Sequence, residues 1–457
     1  MVAKELHKEI LSGPILLAVA HQLPANVVAL GFQGFVGAMD VFFISYLGTD
    51  AIAAVTLVFP CLALMRTIAA TALGTATSSL IAAAVGKDDL DAARRSVACG
   101  LLLTVIYGGC WAALFVGYGE HLFSYLGANS DQLKLAGGYS RVIFWGAPLT
   151  CAAQLCLGVL RGVGSASSAT LIASIGGVVQ LLATPLLMFG AFGSPPLGAS
   201  GAALAFLASS LPMVAGSPYL IRRIMPGLLS WHTFMAPLDA RLFVRFISTA
   251  GPATLNSTLN YFVLLVLSAL VATLGSDSLA AFGIVTRIEY FGFLVAFGGG
   301  ATTVTFVAMN FGAGQIPRAR KAMWSIALIT TAVICAAVLA IAINPRMISQ
   351  LFSSDELVRK AADPYLRSGL VGFPFLTLGL IIYYASLAFS SPMLPFLINA
   401  VRCAILIAAV WLSIHFFDVG LFGVGLGVTL SNFAYLAVML AWLGRSSIWN
   451  STQSVAA

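Results

Sequence analysis

The chain has 457 residues, 60% of them hydrophobic and only 9% charged, against roughly a quarter charged in soluble domains. That balance excludes a water-soluble fold, because so few charges cannot cover a surface of this length. The formal net charge of +7 comes from basic residues gathered in alternate loops, as set out below, so nucleic-acid binding is not expected.

Apolar runs long enough to cross about 30 Å of hydrocarbon, roughly 20 helical residues each, recur along the chain. In the first part they cover about 14–46, 51–84, 93–119, 137–160, 168–191 and 197–221. In the second part they cover about 241–273, 278–311, 322–344, 366–389, 392–416 and 420–444. The runs are continuously apolar rather than alternating, and backbone amides in lipid must be satisfied internally, so they are expected to be helices. The predicted fold class is an all-α integral membrane protein with twelve transmembrane helices. The start, Met1 to Gly13, is polar and leads into a run too long for a cleaved signal.

Read as a helix, the first span places Gln22, Asn26, Gln33, Gly37 and Asp40 on one side. A polar stripe of this kind is expected to face a cleft rather than lipid. Asp40 is its only carboxylate. Burial disfavours the charged form, which suits the group to taking up and releasing protons. The competing readings are a carboxylate at the water interface near the span's outer end, or a structural partner for a buried donor. Pro24, a little over four turns earlier, removes one backbone hydrogen bond. It is expected either to let the helix bend with the charge state of the stripe or to fix a permanent kink.

Later spans repeat the earlier ones. At an offset of 226 residues Tyr139, Gly146 and Pro148 fall on Tyr365, Gly372 and Pro374. At the same offset Gly74, Thr77 and Gly86 fall on Gly300, Thr303 and Gly312. The offset is 227 where Leu47-Gly48-Thr49-Asp50 meets Leu274-Gly275-Ser276-Asp277, and 222 where Gly198 and Gly201 meet Gly420 and Gly423. Two related halves, residues 1–225 and 226–457, are therefore expected. Each half has six spans, an even number, so both enter the membrane in the same sense and are related by a pseudo-two-fold axis along the membrane normal. No separate soluble domain fits between the spans; the longest linker, about 222–239, joins the halves.

Basic residues set the topology. With the N-terminus inside, Lys4, Lys8, Lys87, Arg94, Arg95, Arg161, Arg222, Arg223, Arg241, Arg245, Arg318, Arg320, Lys321 and Arg445 are cytoplasmic. Only Lys134, Arg141, Arg346, Arg359, Lys360 and Arg367 lie on the other side. The positive-inside rule then puts both termini in the cytoplasm of a multi-pass protein of the cytoplasmic membrane. The seven cysteines sit in apolar stretches without metal-ligand spacing and read as small hydrophobes. His7, His21, His121, His232 and His415 form no ligand pair. Nucleotide-binding and nucleophile motifs are not found, which argues against an ATP-driven pump and against an enzyme.

Met39-Asp40-Val41-Phe42-Phe43-Ile44-Ser45-Tyr46-Leu47-Gly48 followed by Ala53-Ala54-Val55 resembles the first-span signature of the multidrug and toxic compound extrusion (MATE) family. Gly86 with Ala93-Arg94-Arg95 is similar to that family's loop after the second span, and Leu160-Arg161-Gly162-Val163-Gly164 to its motif after the fourth. Arg287-Ile288-Glu289 and Asn310-Phe311-Gly312-Ala313-Gly314 are similar to its eighth span and the loop beyond. The matches run from about residue 14 to about 445.

The resemblance implies two six-helix bundles around a V-shaped cavity. It implies secondary antiport, in which drug-like or metabolite molecules (organic cations above all) leave as protons enter, sodium being the alternative ion. Asp40 stands where the family's proton-linked prokaryotic members have their coupling carboxylate. The fifth span departs from the family pattern Asn-x-x-x-Asp-Pro, reading Gln180-Leu181-Leu182-Ala183-Thr184-Pro185. Gln180 and Thr184 can hydrogen-bond but do not titrate, which leaves a sodium site short of charge. The seventh span offers Thr254, Asn256, Ser257, Thr258, Asn260 and Tyr261 where many members carry a glutamate. Asn256 and Asn260 read equally as cavity lining or as interhelical ties worth about 1 kcal/mol each. Arg287 and Glu289, two apart, point to different faces and are expected to pair with other helices.

The expected proton-coupling residues are thus Asp40 and, second, Glu289. The expected substrate-lining residues are Asn26, Gln33, Gln180, Thr184, Asn256, Asn260 and Tyr261. No cofactor or metal is expected beyond the coupling ion. The expected partners are a small-molecule substrate, the coupling cation and membrane lipid, with a monomer as the working unit. A lipid-linked oligosaccharide or lipid flippase of the same superfamily is the alternative. Such proteins need basic cavity residues for phosphate, and within the spans only Arg66, Arg287 and Arg402 are available.

Overall fold

The computed structural model describes residues 2–125, 130–190, 195–230, 233, 240–345, 349–350, 356–417 and 419–446, with side chains from His7 onward apart from Thr49. His232, Arg346 and part of the expected linker (231–232 and 234–239) lie outside the described residues, as does the side chain of Lys4.

Among the described residues every regular element is helical. Eleven helical segments are long and apolar enough to cross a bilayer, and a bent pair supplies the twelfth. The first half contains α2 (Ile15–Ser45) and α3 (Thr49–Ile68), which passes through a π-helical turn at Ala69–Thr75 into α4 (Ala76–Gly86). It continues with α5 (Leu90–Tyr125), α6 (Ser130–Trp145), α7 (Ala147–Gly162), α8 (Ala166–Phe189) and α9 (Ala199–Ile224). The second half contains α10 (Ala240–Ala272), α11 (Ser276–Gly312) and α12 (Ile316–Ile343). After these come α13 (Glu356–Ser368), a 3-10 turn at Leu370–Gly372, α14 (Phe373–Ala388), α15 (Met393–His415) and α16 (Gly420–Arg445).

The repeat is visible in the bends. α6 and α7 meet at 46°, at Gly146, with Pro148 in the first turn of α7 where its missing N–H costs nothing. Their counterparts Gly372 and Pro374 mark the 3-10 turn and the start of α14. The π-helical turn has no such counterpart, since α11 is a continuous α-helix. Several spans extend beyond their apolar runs, at Leu90, Ser130, Ile316 and Glu356, because their polar first turns continue the helix outside the hydrocarbon. A short helix α1 (Val2–Leu11) precedes the spans, formed from residues read in sequence only as a polar start. Its Ile10 is buried, which docks the helix.

One end of the molecule collects the turns rich in basic residues. There Arg318 donates through Nε to the Ile10 carbonyl at 3.1 Å, and Arg94 through Nε to that of Gly227 at 2.9 Å. Arg245 reaches Ser390 Oγ at 3.2 Å. At this basic end the halves share an apolar core, which joins Ile81 and Leu160 of the first half to Val307, Met309 and Leu387 of the second. Ser79 Oγ donates across it to the Leu387 carbonyl at 2.9 Å. Towards the other end the cores separate. One cluster is confined to the first half around Ile44, Phe123 and Phe144, another to the second around Val271, Tyr365 and Val424. The apolar cores are thus joined at the basic end and separate beyond it, where the halves still touch through Thr67 and Tyr261.

Candidate functional site

The polar stripe on α2 divides along its length. Near the basic end Gln22 donates to the Gly164 carbonyl at 2.8 Å, and Asn26 Nδ2 donates to Thr302 Oγ1 of the second half at 3.0 Å. Both are buried and tie helices together where the halves meet. Further along, Gln33 and Gly37 border a cavity of about 40 Å3 inside the first half, together with Arg66, Gln154, Gln180 and Ser210.

Asp40 points inward to α8. Its Oδ2 accepts from Gln180 Nε2, and its Oδ1 accepts from Thr184 Oγ1 at 3.0 Å. Gln180 and Thr184 are one turn apart on α8 and so present both donors to one carboxylate. Thr184 is fully buried, and its hydroxyl is also directed at the Gln180 carbonyl at 2.8 Å. Neither neighbour titrates, and among the described residues no second carboxylate bonds to the group. Arg66 lies over the Phe206 ring, 5.2 Å from its centre. Sequence reasoning did not single out Arg66, Gln154 or Ser210 for this cavity. A polar residue every few turns in an otherwise apolar span was the signal it passed over.

The second half also holds a polar cluster, built around a cation with no carboxylate bonded to it among the described residues. Arg402 on α15 donates through Nε to Asn399 Oδ1 at 2.9 Å and through Nη1 to Asn432 Oδ1 on α16 at 2.7 Å. Its Nη2 has only longer contacts, to Asn260 Oδ1 at 3.5 Å and Cys403 Sγ at 3.6 Å. The guanidinium also stands over the Tyr435 ring at 5.6 Å. Asn399 Nδ2 donates to Asn256 Oδ1 at 2.7 Å. Asn256 and Asn260 are therefore brought into one cluster on α10, facing α15. Tyr261, the next residue, is exposed, and its hydroxyl meets Thr67 Oγ1 of the first half at 3.2 Å. Asn399 and Asn432 were not identified from sequence, although an Asn and an Arg one turn apart in an apolar run are a readable signal.

Glu289 does not pair with Arg287, which is exposed. Instead its Oε1 accepts from the Tyr365 hydroxyl at 2.8 Å, linking α11 to α13. Among the described residues no three of His, Cys, Asp and Glu gather as metal ligands.

A family model described as MatE matches residues 27–186 and 252–412, once in each half. The FAD transporter of Shewanella oneidensis is 30% identical over 86% of both chains. The multidrug export protein MepA of Staphylococcus aureus (strain NCTC 8325) is 25% identical over 66% of both. Among solved structures, a MATE protein in its bent conformation superposes with a TM-score of 0.88 at 22% identity, covering 97% of each chain. An outward-facing multidrug resistance MATE transporter superposes at 0.86 and 22% identity over 98% of each. With its paired halves, its twelve spans and both segments of the family model, the chain belongs to the MatE family of multi-pass membrane transporters and is a carrier rather than an enzyme.

Proposed function

We propose that the chain is a secondary antiporter that exports small organic molecules from the cytoplasm as protons enter, with sodium as the less favoured ion. The observation that carries this reading is the setting of Asp40, which is held by two neutral donors, Gln180 and Thr184. A carboxylate placed so can gain or lose a proton without breaking an ion pair. Ionised, it accepts from both donors; protonated, it gains a donor of its own and the α2–α8 contact must rearrange. A sodium site would call for more oxygen ligands of negative charge than one carboxylate supplies. Glu289, bonded to Tyr365, is the second proton-linked group.

The cargo is proposed to sit between the halves. Gln33 contacts it from the first half and Asn260 and Tyr261 from the second, with the buried Gln180, Thr184, Asn26 and Asn256 behind them. Drug-like molecules and metabolites are the cargo class. Flavins are useful probes because one relative is named for FAD. The basic end is taken to face the cytoplasm, with both termini there, in the cytoplasmic membrane, and a monomer is the working unit. The membrane potential then adds about 2.3 kcal/mol per charge for about 100 mV.

The test is transport in proteoliposomes under an imposed pH or sodium gradient, wild type against Asp40→Asn. A pH gradient should drive wild-type export and fail to drive the variant. Export driven by sodium alone would overturn the proton reading.

A further inference from the structure

Arg402 is nine-tenths buried and has no carboxylate partner among the described residues. Burying a cation in a membrane protein carries a large desolvation cost, which amide oxygens offset only in part. A purely structural tie between α15 and α16 accounts for the short contacts of Nε and Nη1. It does not account for Nη2, whose nearest acceptors stand at 3.5 and 3.6 Å, on the side of the half-buried Asn260. A second buried donor of the same cluster is also unpaired: Asn432, with 0% exposure, gives its Oδ1 to Arg402 and leaves its Nδ2 without an acceptor. The cluster therefore holds donors in excess of acceptors.

The internal repeat locates this cluster relative to the first-half cavity. At the offset of 227 residues Gln33 corresponds to Asn260. At the offset of 222 Gln180, Ser210 and Met213 correspond to Arg402, Asn432 and Tyr435. Those four first-half residues border the cavity beside Asp40. Their counterparts surround a guanidinium instead. The two halves thus present one architecture with a different charge balance: Asp40 and Arg66 in the first, and Arg402 with no carboxylate bonded to it among the described residues in the second.

We propose that Arg402 anchors the carboxylate or phosphate group of an organic anion carried as cargo, through its Nη2 edge beside Asn260. A planar oxyanion matches the fork of a guanidinium and supplies the acceptors that the cluster lacks. The proposal rests on the transport reading above and adds to it the charge of the cargo: organic cations, expected from sequence, are disfavoured at the second half.

The experiment compares riboflavin with FMN, which share a ring system and differ by a phosphate. Binding is read by flavin fluorescence polarisation near neutral pH, with the full-length protein in nanodiscs of phosphatidylcholine alone. Wild type should bind FMN about tenfold or more tightly than riboflavin, as a charge-assisted contact implies. In Arg402→Gln the ratio should fall to about one.

Because that variant can also unsettle the fold, Asn260→Asp supplies an independent test. A carboxylate there would neutralise the guanidinium, so the ratio should collapse while the unfolding temperature rises. A ratio near one in wild type, failure of wild type to bind FMN, or a ratio that survives both substitutions would overturn the proposal. So would loss of the preference on adding phosphatidylglycerol, which would make the ligand a lipid headgroup. The assay contains no ion gradient. Failure of proton-driven transport with the FMN preference intact would thus remove the antiport reading and leave this one standing.

Discussion

Gly86 and Gly312 stand 226 residues apart, and each packs against the backbone of the helix that carries the other. A Cβ on Gly86 would run into the Met309 carbonyl, and one on Gly312 into the Ala83 carbonyl. Ala83 and Met309 are themselves related by the same offset. The contact is therefore symmetric and closes the basic end with four residues, backbone to backbone. Neither carbonyl can yield as a flexible side chain would. Gly86→Ala or Gly312→Ala should cost the closed arrangement about 1–3 kcal/mol, the range for overpacking. The reporter is a cysteine at buried Ser78, which faces Thr305 at 3.5 Å. In a cysteine-free background its labelling by a maleimide should accelerate in both glycine variants; unchanged labelling would mean that the contact does not hold the halves together.

Thr184 Oγ1 is 3.0 Å from Asp40 Oδ1, so Thr184→Asp would set two carboxylates side by side. Two such groups share a proton or bind a cation between them. Sodium, expected on the proton reading to leave wild-type transport unchanged, should then compete with protons and slow pH-driven export. Transport by Thr184→Asp measured with and without sodium checks this, and a sodium response equal to that of wild type would count against the assigned geometry.

The spans were legible because apolar length is a direct consequence of the membrane, and the bends because Gly146 with Pro148 and Gly372 with Pro374 repeat. Helix ends were not, because the polar turns beginning at Ser130 and Glu356 carry no apolar signal. Asp40 was legible as the only acid in a polar stripe, and its partners Gln180 and Thr184 through resemblance to a family pattern. The stripe could not reveal that Asn26 bonds across to Thr302, because facing the other half and facing a cavity leave the same periodicity. The Arg402 cluster was missed for a related reason. Its members come from three helices, Asn256 and Asn260 on α10, Asn399 and Arg402 on α15, and Asn432 on α16. Only packing reveals that these scattered amides converge on one guanidinium.

His7 lies on α1, outside the spans, and its Nε2 meets the Val163 carbonyl at 3.2 Å. Burial holds its pKa below the ordinary value of 6.5, against the raising influence of that carbonyl and of Asp88. A base with a lowered folded-state pKa favours docking while neutral. The unfolded or undocked form takes up protons first, so docking weakens as pH falls through 6.5 and below. The protection factors of the amides at residues 8–13, the intrinsic rate divided out, should therefore fall at acid pH. His7→Gln, which keeps a donor but does not titrate, should remove that dependence; if the pH effect persists in the variant, another group is responsible.

The buried Tyr365 and the half-buried Glu289 form a pair whose energetics a double-mutant cycle can separate. Tyr365→Phe deletes the hydroxyl that donates to Glu289 at 2.8 Å. It leaves a carboxylate oxygen short of its donor, at a cost of about 1–3 kcal/mol. Glu289→Gln should cost less, because the amide oxygen still accepts from Tyr365 and no charge is buried. In the Gln background the Phe substitution should lose less than it does alone, giving a coupling of about 1 kcal/mol. Unfolding of the four proteins in detergent measures this. Strict additivity would show that the hydroxyl and the carboxylate do not depend on each other, and Glu289 would then have to be held in α11 by packing alone.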